Sequence, residues 1–173
     1  YSFCLKRQII IDALTLAGLY TLRIIAGATA IATPLSFWLL AFSIFIFLSM
    51  AFIKRVSELK ACAHNKHKHQ LLGRGYDDQD TDAIHTMGIS AGYLSVLVLA
   101  LYIDDHHAMI IYSSPSFLWL ICPCLLYWIS RAWLITHRGH MHDDPVLFAI
   151  KDSTSWIIAI CIITFFILAL YVP

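Results

Sequence analysis

Residues 35–60 have the sequence LSFWLLAFSIFIFLSMAFIKRVSELK, in which an apolar run ends abruptly at Lys54, Arg55 and Glu58. A bilayer core is crossed by about 20 helical residues, so this run predicts a membrane-spanning helix that ends at a surface. Glu58 is the only glutamate in the chain. On a helix it lies three and four residues from the two cations and shares one face with them.

The composition of the whole chain agrees with this prediction. Of its 173 residues, 60% are apolar and 13% are charged, and the mean hydropathy is +0.73. Soluble domains are about 45–50% apolar and about 25% charged, so this chain has too little polar surface for a soluble globule. We therefore predict an all-α, polytopic transmembrane helical bundle.

Five apolar segments are long enough to cross a bilayer. They are Ile9–Ala32, Leu35–Ile53, Ala83–Ile103, Phe117–Ile135 and Ser153–Val172. Every lysine and arginine of the connecting and flanking segments falls on one side of these spans, and the opposite side has none. By the positive-inside rule the cationic side is cytoplasmic, which predicts a multi-pass protein of a cell inner membrane. Trp38, Trp119, Trp133 and Trp156 lie near predicted span ends, where tryptophans anchor helices at the interface.

Two charged residues lie within the first span. Asp12 and Arg23 are eleven residues apart, about three helical turns, and so point in nearly the same direction. Because a charge in hydrocarbon is costly, both should face protein or water. One interpretation is an arginine that joins helices through backbone carbonyls. The other is a polar cavity open to the cytoplasm, with Gly27 permitting close helix approach.

The segment after the second span also has two interpretations. Lys54, Arg55 and Glu58 form either ion pairs at the membrane surface beside anionic lipid, or a group in which the cations bind a phosphate. In the second case Glu58 orients them or holds a divalent metal, since Mg²⁺ is usually bound by one or two carboxylates plus substrate phosphates.

Residues 73–82, GRGYDDQDTD, carry further candidates. Arg74 and Tyr76 lie beside glycines, where backbone amides can approach a phosphate. Asp78 and Asp82 form a D-x-x-x-D pair that suits a metal on one helix face. The simpler interpretation is that Asp80 or Asp82 caps the third span, since acidic residues favour the first turn of a helix. Towards the C-terminus, Arg131, Asp144 and Asp152 either complete a polar rim or anchor helix ends.

An ordered set of short motifs resembles the second half of the UbiA superfamily of intramembrane prenyltransferases, and in particular the branch of decaprenyl-phosphate phosphoribosyltransferase. In chain order they are Tyr1-Ser2 with Leu5-Lys6, Asp12, Leu22-Arg23 with Ala26-Gly27, Lys54-Arg55 with Glu58-Leu59, Gly73–Tyr76, and Asp144-Pro145 with Phe148-Ala149 and Asp152. The chain also resembles bacterial proteins in which such a membrane domain is joined to a haloacid-dehalogenase-like phosphatase domain.

The resemblance implies a bundle of nine helices, of which residues 1–173 would supply the last five. It implies a Mg²⁺-dependent transferase whose two polar motifs face each other across a central cavity, the first of them absent from this chain. The second motif is Asp-rich in the quinone-pathway enzymes, whereas this chain has K-R-x-x-E. That departure suits a phosphate-binding role.

The resemblance therefore implies roles for the candidate residues. Lys54, Arg55 and Glu58 would be catalytic, and the substrate would meet Lys6, Asp12, Arg23, Arg74 and Tyr76. Glu58, Asp78 and Asp82 would hold Mg²⁺.

The reaction is expected to be either prenyl transfer from a polyprenyl diphosphate or phosphoribosyl transfer from phosphoribosyl diphosphate to a polyprenyl phosphate. A non-catalytic membrane carrier or lipid-binding protein is the third hypothesis. Expected partners are a polyisoprenoid lipid, membrane lipid and the N-terminal half of the same protein, but no nucleic acid. Residues 1–173 alone should be inactive.

Overall fold

The computed structural model describes residues 10–64, 80–105, 111–141 and 144–172. The regular elements in these ranges are all helical. They are α1 (Ile11–Ala30), α2 (Phe37–His64), α3 (Thr81–Ile103), a 3-10 turn (Pro115–Leu120) that leads into α4 (Ile121–His137), α5 (Pro145–Lys151) and α6 (Ser153–Tyr171).

Five helical segments are long and apolar enough to span a membrane: Ile11–Ala30, Phe37–Ala61, Thr81–Ile103, Pro115–His137 and Ser153–Tyr171. This confirms the all-α prediction and the five spans of a multi-pass membrane protein. In the most apolar 18 residues of each span, between 17% and 33% of the residues are buried inside the chain. The remaining surface is available to lipid or to further protein.

The second helix extends beyond the predicted membrane span. The apolar span was predicted to end at Ile53, and α2 continues without a break to His64, which agrees with the helical spacing assumed for Lys54, Arg55 and Glu58. The reason is that buried apolar side chains recur at helical spacing past the first cations: Phe52, Val56 and Leu59 are 3%, 0% and 3% exposed. The K-R-x-x-E segment is therefore a packed part of α2.

Consecutive spans pack against one another, with α2 beside both α1 and α3, α3 beside α4, and α4 beside α6. The closest approach involves two glycines of α3. A Cβ atom on Gly88 would lie 2.2 Å from the ring of Trp133, and one on Gly92 would lie 2.7 Å from Ile129. Ser49 of α2 donates a hydrogen bond to the Gly88 carbonyl at 2.7 Å. These small residues let α2, α3 and α4 form a tight core.

Trp133 differs from its predicted role. It is 2% exposed, and its indole N–H donates to Ser49 Oγ at 3.1 Å. The prediction of an interfacial anchor is therefore wrong for this tryptophan, because it lies on the face of α4 that packs against the glycines of α3. At the opposite end of the molecule, Trp38 donates to the Asp105 carboxylate at 3.0 Å and joins the start of α2 to the segment after α3.

Candidate functional site

The basic residues of the described chain gather at one end of the bundle, which we call the cation-rich end. It contains the start of α1, the C-terminal parts of α2 and α4, the start of α3, the whole of α5 and the start of α6. Within the described ranges, its lysines and arginines are Lys54, Arg55, Lys60, Arg131, Arg138 and Lys151, and Arg23 alone lies elsewhere.

The most buried charges at this end form a cluster between α1 and α2. The Arg55 Nε atom lies 2.6 Å from Asp12 Oδ2, and Arg55 Nη1 donates to the Glu58 carboxylate. The Arg55 and Asp12 side chains are 1% and 0% exposed, whereas Glu58 is 26% exposed. Asp12 lies in the first turn of α1, where the helix dipole favours a carboxylate.

This arrangement determines what the cluster can bind. Because Arg55 is buried between two acids, it positions them and is closed to an incoming ligand. Glu58 is the member of the cluster that solvent reaches. A partly exposed carboxylate is a group that a cation can approach.

A second ion pair forms the outer layer of the site. The Lys54 ammonium donates to an oxygen of Asp144, and the two side chains are 35% and 31% exposed. Asp144 also accepts a hydrogen bond from the Val146 N–H, and so caps the start of α5. Lys54 is therefore the accessible cation of the K-R-x-x-E segment.

A third pair holds α4 to α6. Arg131 donates to both carboxylate oxygens of Asp152, at 2.6 and 2.9 Å, and Asp152 accepts hydrogen bonds from the Ser155 N–H and hydroxyl at 2.8 and 2.9 Å. The hydrogen bond from Arg131 lowers the pKa of Asp152 below its ordinary value, against the raising effect of burial. For these two residues the structure matches the second interpretation, in which they anchor helix ends.

The other predicted site residues lie apart from the Asp12–Arg55–Glu58 cluster. Arg23 is exposed on α1, with its guanidinium 4.9 Å from the Tyr20 ring centroid. Asp12, by contrast, is buried against Arg55, and so the structure does not bring Asp12 and Arg23 into one cavity.

Asp82 is exposed in the first turn of α3 and interacts electrostatically with Lys60. In the described part of the chain no group of three or more His, Cys, Asp or Glu side chains is arranged to hold a metal ion. Lys6, Arg74, Tyr76 and Asp78 lie outside the described residues.

A groove between α3 and α4 at the same end was not predicted from the sequence. Its volume is about 360 Å³, and it is lined by His85, Ile89, Tyr93, Ser130, Trp133, Leu134 and His137. The two histidine rings lie 5.2 Å apart, and Lys60 donates to the His137 carbonyl. The four-residue spacing of His85, Ile89 and Tyr93 is visible in the sequence. It identifies a helix face, but does not identify the helix that the face meets.

Two curated relatives match the chain. It is 34% identical over 172 residues to the uncharacterized protein y4nM of Sinorhizobium fredii, a match that covers 98% of this chain and 33% of that protein. It is 35% identical over 153 residues to the nodulation protein NoeC of Azorhizobium caulinodans, with 87% of this chain and 48% of that protein covered. The chain thus spans between a third and a half of the length of these relatives. No protein-family model and no solved structure matches it.

Proposed function

We propose that the chain forms part of a Mg²⁺-dependent, UbiA-type intramembrane transferase that acts on a polyprenyl (di)phosphate at the cation-rich end. The observation that supports this proposal most strongly is that Lys54 and Arg55, adjacent residues of α2, are ion-paired with carboxylates of α1, of α2 and of the start of α5. Asp12, Arg55 and Glu58 form the inner layer, and Lys54 and Asp144 form the outer one. A buried, charged cluster inside membrane helices is costly to keep and is typical of functional sites.

Each member has a separate role in this proposal. Lys54, the accessible cation, binds a phosphate oxygen after exchanging its contact with Asp144. Arg55 is held between two acids and keeps Glu58 oriented towards solvent. Glu58, a partly exposed carboxylate, would be a ligand of a Mg²⁺ ion that also takes substrate phosphate oxygens. When bound, this ion supplies positive charge to stabilise the departing diphosphate.

The resemblance implies further positive charge from Lys6 and Arg74, and it makes Tyr76, Asp78 and Asp82 additional candidates. The polyisoprenoid would lie in the bilayer beside the cluster. The rest of the bundle, up to the nine helices that the resemblance implies, would present the opposing motif. We place the cation-rich end in the cytoplasm and the protein in the bacterial inner membrane.

Phosphoribosyl transfer from phosphoribosyl diphosphate to a polyprenyl phosphate is the second candidate. The observation that favours it is the engagement of Asp12 and Glu58 with Arg55. Carboxylates that are paired with an arginine differ from the Asp-rich motif that ionises a prenyl diphosphate.

A non-catalytic carrier is the third candidate, since every charge in the two layers already has a partner.

Transfer assays on membranes that contain the full-length protein separate these candidates. The protein is supplied with Mg²⁺ and either a prenyl diphosphate with an acceptor or phosphoribosyl diphosphate with a polyprenyl phosphate. Lys54→Ala and Glu58→Gln should each lower turnover by about tenfold or more, because each removes an interaction with the reacting phosphate. Arg138→Ala, which removes an exposed cation from the same end, is the matched control. Unchanged turnover in the Lys54 and Glu58 variants refutes the proposed site, and no transfer with either donor favours a carrier.

The proposed orientation has its own test. Cysteines placed singly at Ile31 and Lys151, which lie at opposite ends of the bundle, are treated with a membrane-impermeant thiol reagent in intact cells. The proposal requires labelling at position 31 and protection at position 151 until the membrane is opened. The reverse pattern places the cation-rich end outside.

A further inference from the structure

The outward faces of α1 and α6 differ in chemistry although both helices are equally uncovered. In each helix, 17% of the most apolar 18 residues are buried inside the chain. However, α6 has the highest mean hydropathy of the five spans and α1 has the lowest. The exposed surface of α6 carries Ile157, Ile160, Ile163 and Ile167, and no charged residue occurs in that helix. Such a surface suits lipid, whereas α1 carries an arginine.

Arg23 lies in the wrong place to be an interfacial anchor. Its guanidinium lies 4.9 Å from the centroid of the Tyr20 ring, and Tyr20 occupies the middle of α1. Helical side chains lean towards the N-terminus of their helix, which here means away from the nearer end at Ala30. The charge is therefore directed towards the centre of the span. Tyr20 stacks on Phe47 of α2 at 5.2 Å, which fixes the surface on which Arg23 rests.

This charge needs a partner in the bilayer. Arginine stays protonated in proteins, so loss of a proton cannot relieve the cost of burial in hydrocarbon. The cation–π contact with Tyr20 replaces only part of the hydration that the guanidinium gives up. Lipid phosphates lie at the membrane surfaces, far from the centre of the span.

The surroundings of Arg23 leave room for another helix. Leu19, Arg23 and Gly27 follow one another at four-residue spacing, and together with Ala30 they form a stripe that we call the Arg23 face. Leu19 is 44% exposed, and a Cβ atom placed on Gly27 would meet nothing within 4 Å. A small residue one turn from a charge lets a neighbouring backbone come close.

We propose that the Arg23 face is an intramembrane docking surface for a further transmembrane helix of the same protein, one that carries an aspartate or glutamate in its span. The carboxylate pairs with Arg23, and the partner helix packs over Gly27. A second copy of this chain is disfavoured, because a two-fold contact through this face brings two arginines together. The matched relatives are two to three times as long as the matched region, which leaves room for such a helix.

The proposal rests on the proposed place of this chain within a longer bundle and is independent of the transfer chemistry. The test uses a photo-crosslinking amino acid at Leu19 of the full-length protein in its native membrane, with the same probe at Ile163 as the control. We expect position 19 to crosslink within the polypeptide to a helix containing Asp or Glu, and position 163 to crosslink to lipid. Lipid adducts alone at position 19, or a crosslinked dimer, would overturn the proposal.

Charge exchange tests the pairing itself. Arg23→Glu should lower the intramolecular crosslink yield from position 19 about tenfold, and replacing the crosslinked acid by arginine in the same chain should restore it. Leu22→Ala, on the neighbouring stripe of α1, should leave the yield unchanged. If Arg23→Glu leaves the crosslink yield from position 19 unchanged, the proposed pairing is wrong. A protein that retains the crosslink but shows no transfer counts against the proposed function alone.

Discussion

Replacing Asp12 with alanine should be among the most destabilising single changes in this chain. The Asp12 and Arg55 side chains are 0% and 1% exposed and lie 2.6 Å apart. Without Asp12, the Arg55 guanidinium keeps its charge, loses one of its two carboxylates and cannot be rehydrated. Removal of one partner from a buried ion pair costs about 3–5 kcal/mol, compared with about 0–1 kcal/mol for an exposed pair.

The matched control is the outer pair. Lys54 and Asp144 form the same kind of contact with side chains that are 35% and 31% exposed. Water can reach either group when the other is removed, so Lys54→Ala should cost less than about 1 kcal/mol. The assay is reversible denaturant unfolding of the full-length protein in micelles, followed by far-UV circular dichroism. Equal losses of unfolding free energy in the Asp12 and Lys54 variants would refute the difference that burial implies.

The double variant Asp12→Leu/Arg55→Met tests the same reasoning from the other side. It removes both buried charges, and replacement of a buried ion pair by apolar residues of similar size is often neutral or stabilising. Glu58 then loses its hydrogen bond with Arg55, but at 26% exposure it can be hydrated. The double variant should therefore be more stable than Asp12→Ala. If it is less stable, the cost of the single change does not come from an unpaired charge.

Two further predictions concern packing and pH. Gly88→Ala should destabilise the protein by about 1–3 kcal/mol, because its Cβ would lie 2.2 Å from the buried Trp133 ring, while Gly18→Ala, where a Cβ meets nothing within 4 Å, should be neutral or stabilise by up to about 1 kcal/mol. Unfolding measurements that rank these variants in the reverse order would contradict the predicted packing. Arg131 lowers the pKa of Asp152, so the folded state favours the ionised carboxylate. The resulting stabilisation is present above the ordinary carboxyl pKa of about 3.9 and is lost as the pH falls through the lower folded-state value. The stability difference between the wild type and Asp152→Asn should therefore shrink between pH 7 and pH 3, and thermal melts at both pH values test this.

The number of spans could be predicted from the sequence because length and hydropathy are local properties. So could the start of α5, since Asp144 followed by proline is a local capping pattern. The helical spacing of Lys54, Arg55 and Glu58 could also be predicted, because Phe52, Val56 and Leu59 keep the helical period across the first cations.

The pairing of side chains between helices could not be predicted. Spacing along α1 placed Asp12 and Arg23 in similar directions, yet Asp12 meets Arg55 of α2 while Arg23 is exposed. The periodicity of a helix shows which residues share a face, but not which face a neighbouring helix covers at each level. Trp133 is a second example, since its burial depends on the two glycines of α3 and not on its distance from the end of α4.

Burial gives the two cations of the K-R-x-x-E segment different access to a ligand. Lys54 and Arg55 were predicted as equivalent phosphate ligands, but Arg55 lies between two carboxylates and Lys54 is accessible. A bound diphosphate would therefore meet Lys54, and the proposed Mg²⁺ would offset part of its negative charge. Because Glu58 is a proposed ligand of that ion, Glu58→Gln should raise the Mg²⁺ concentration needed for phosphate binding as well as lower transfer. An unchanged Mg²⁺ requirement in this variant would contradict the role of Glu58 as a ligand.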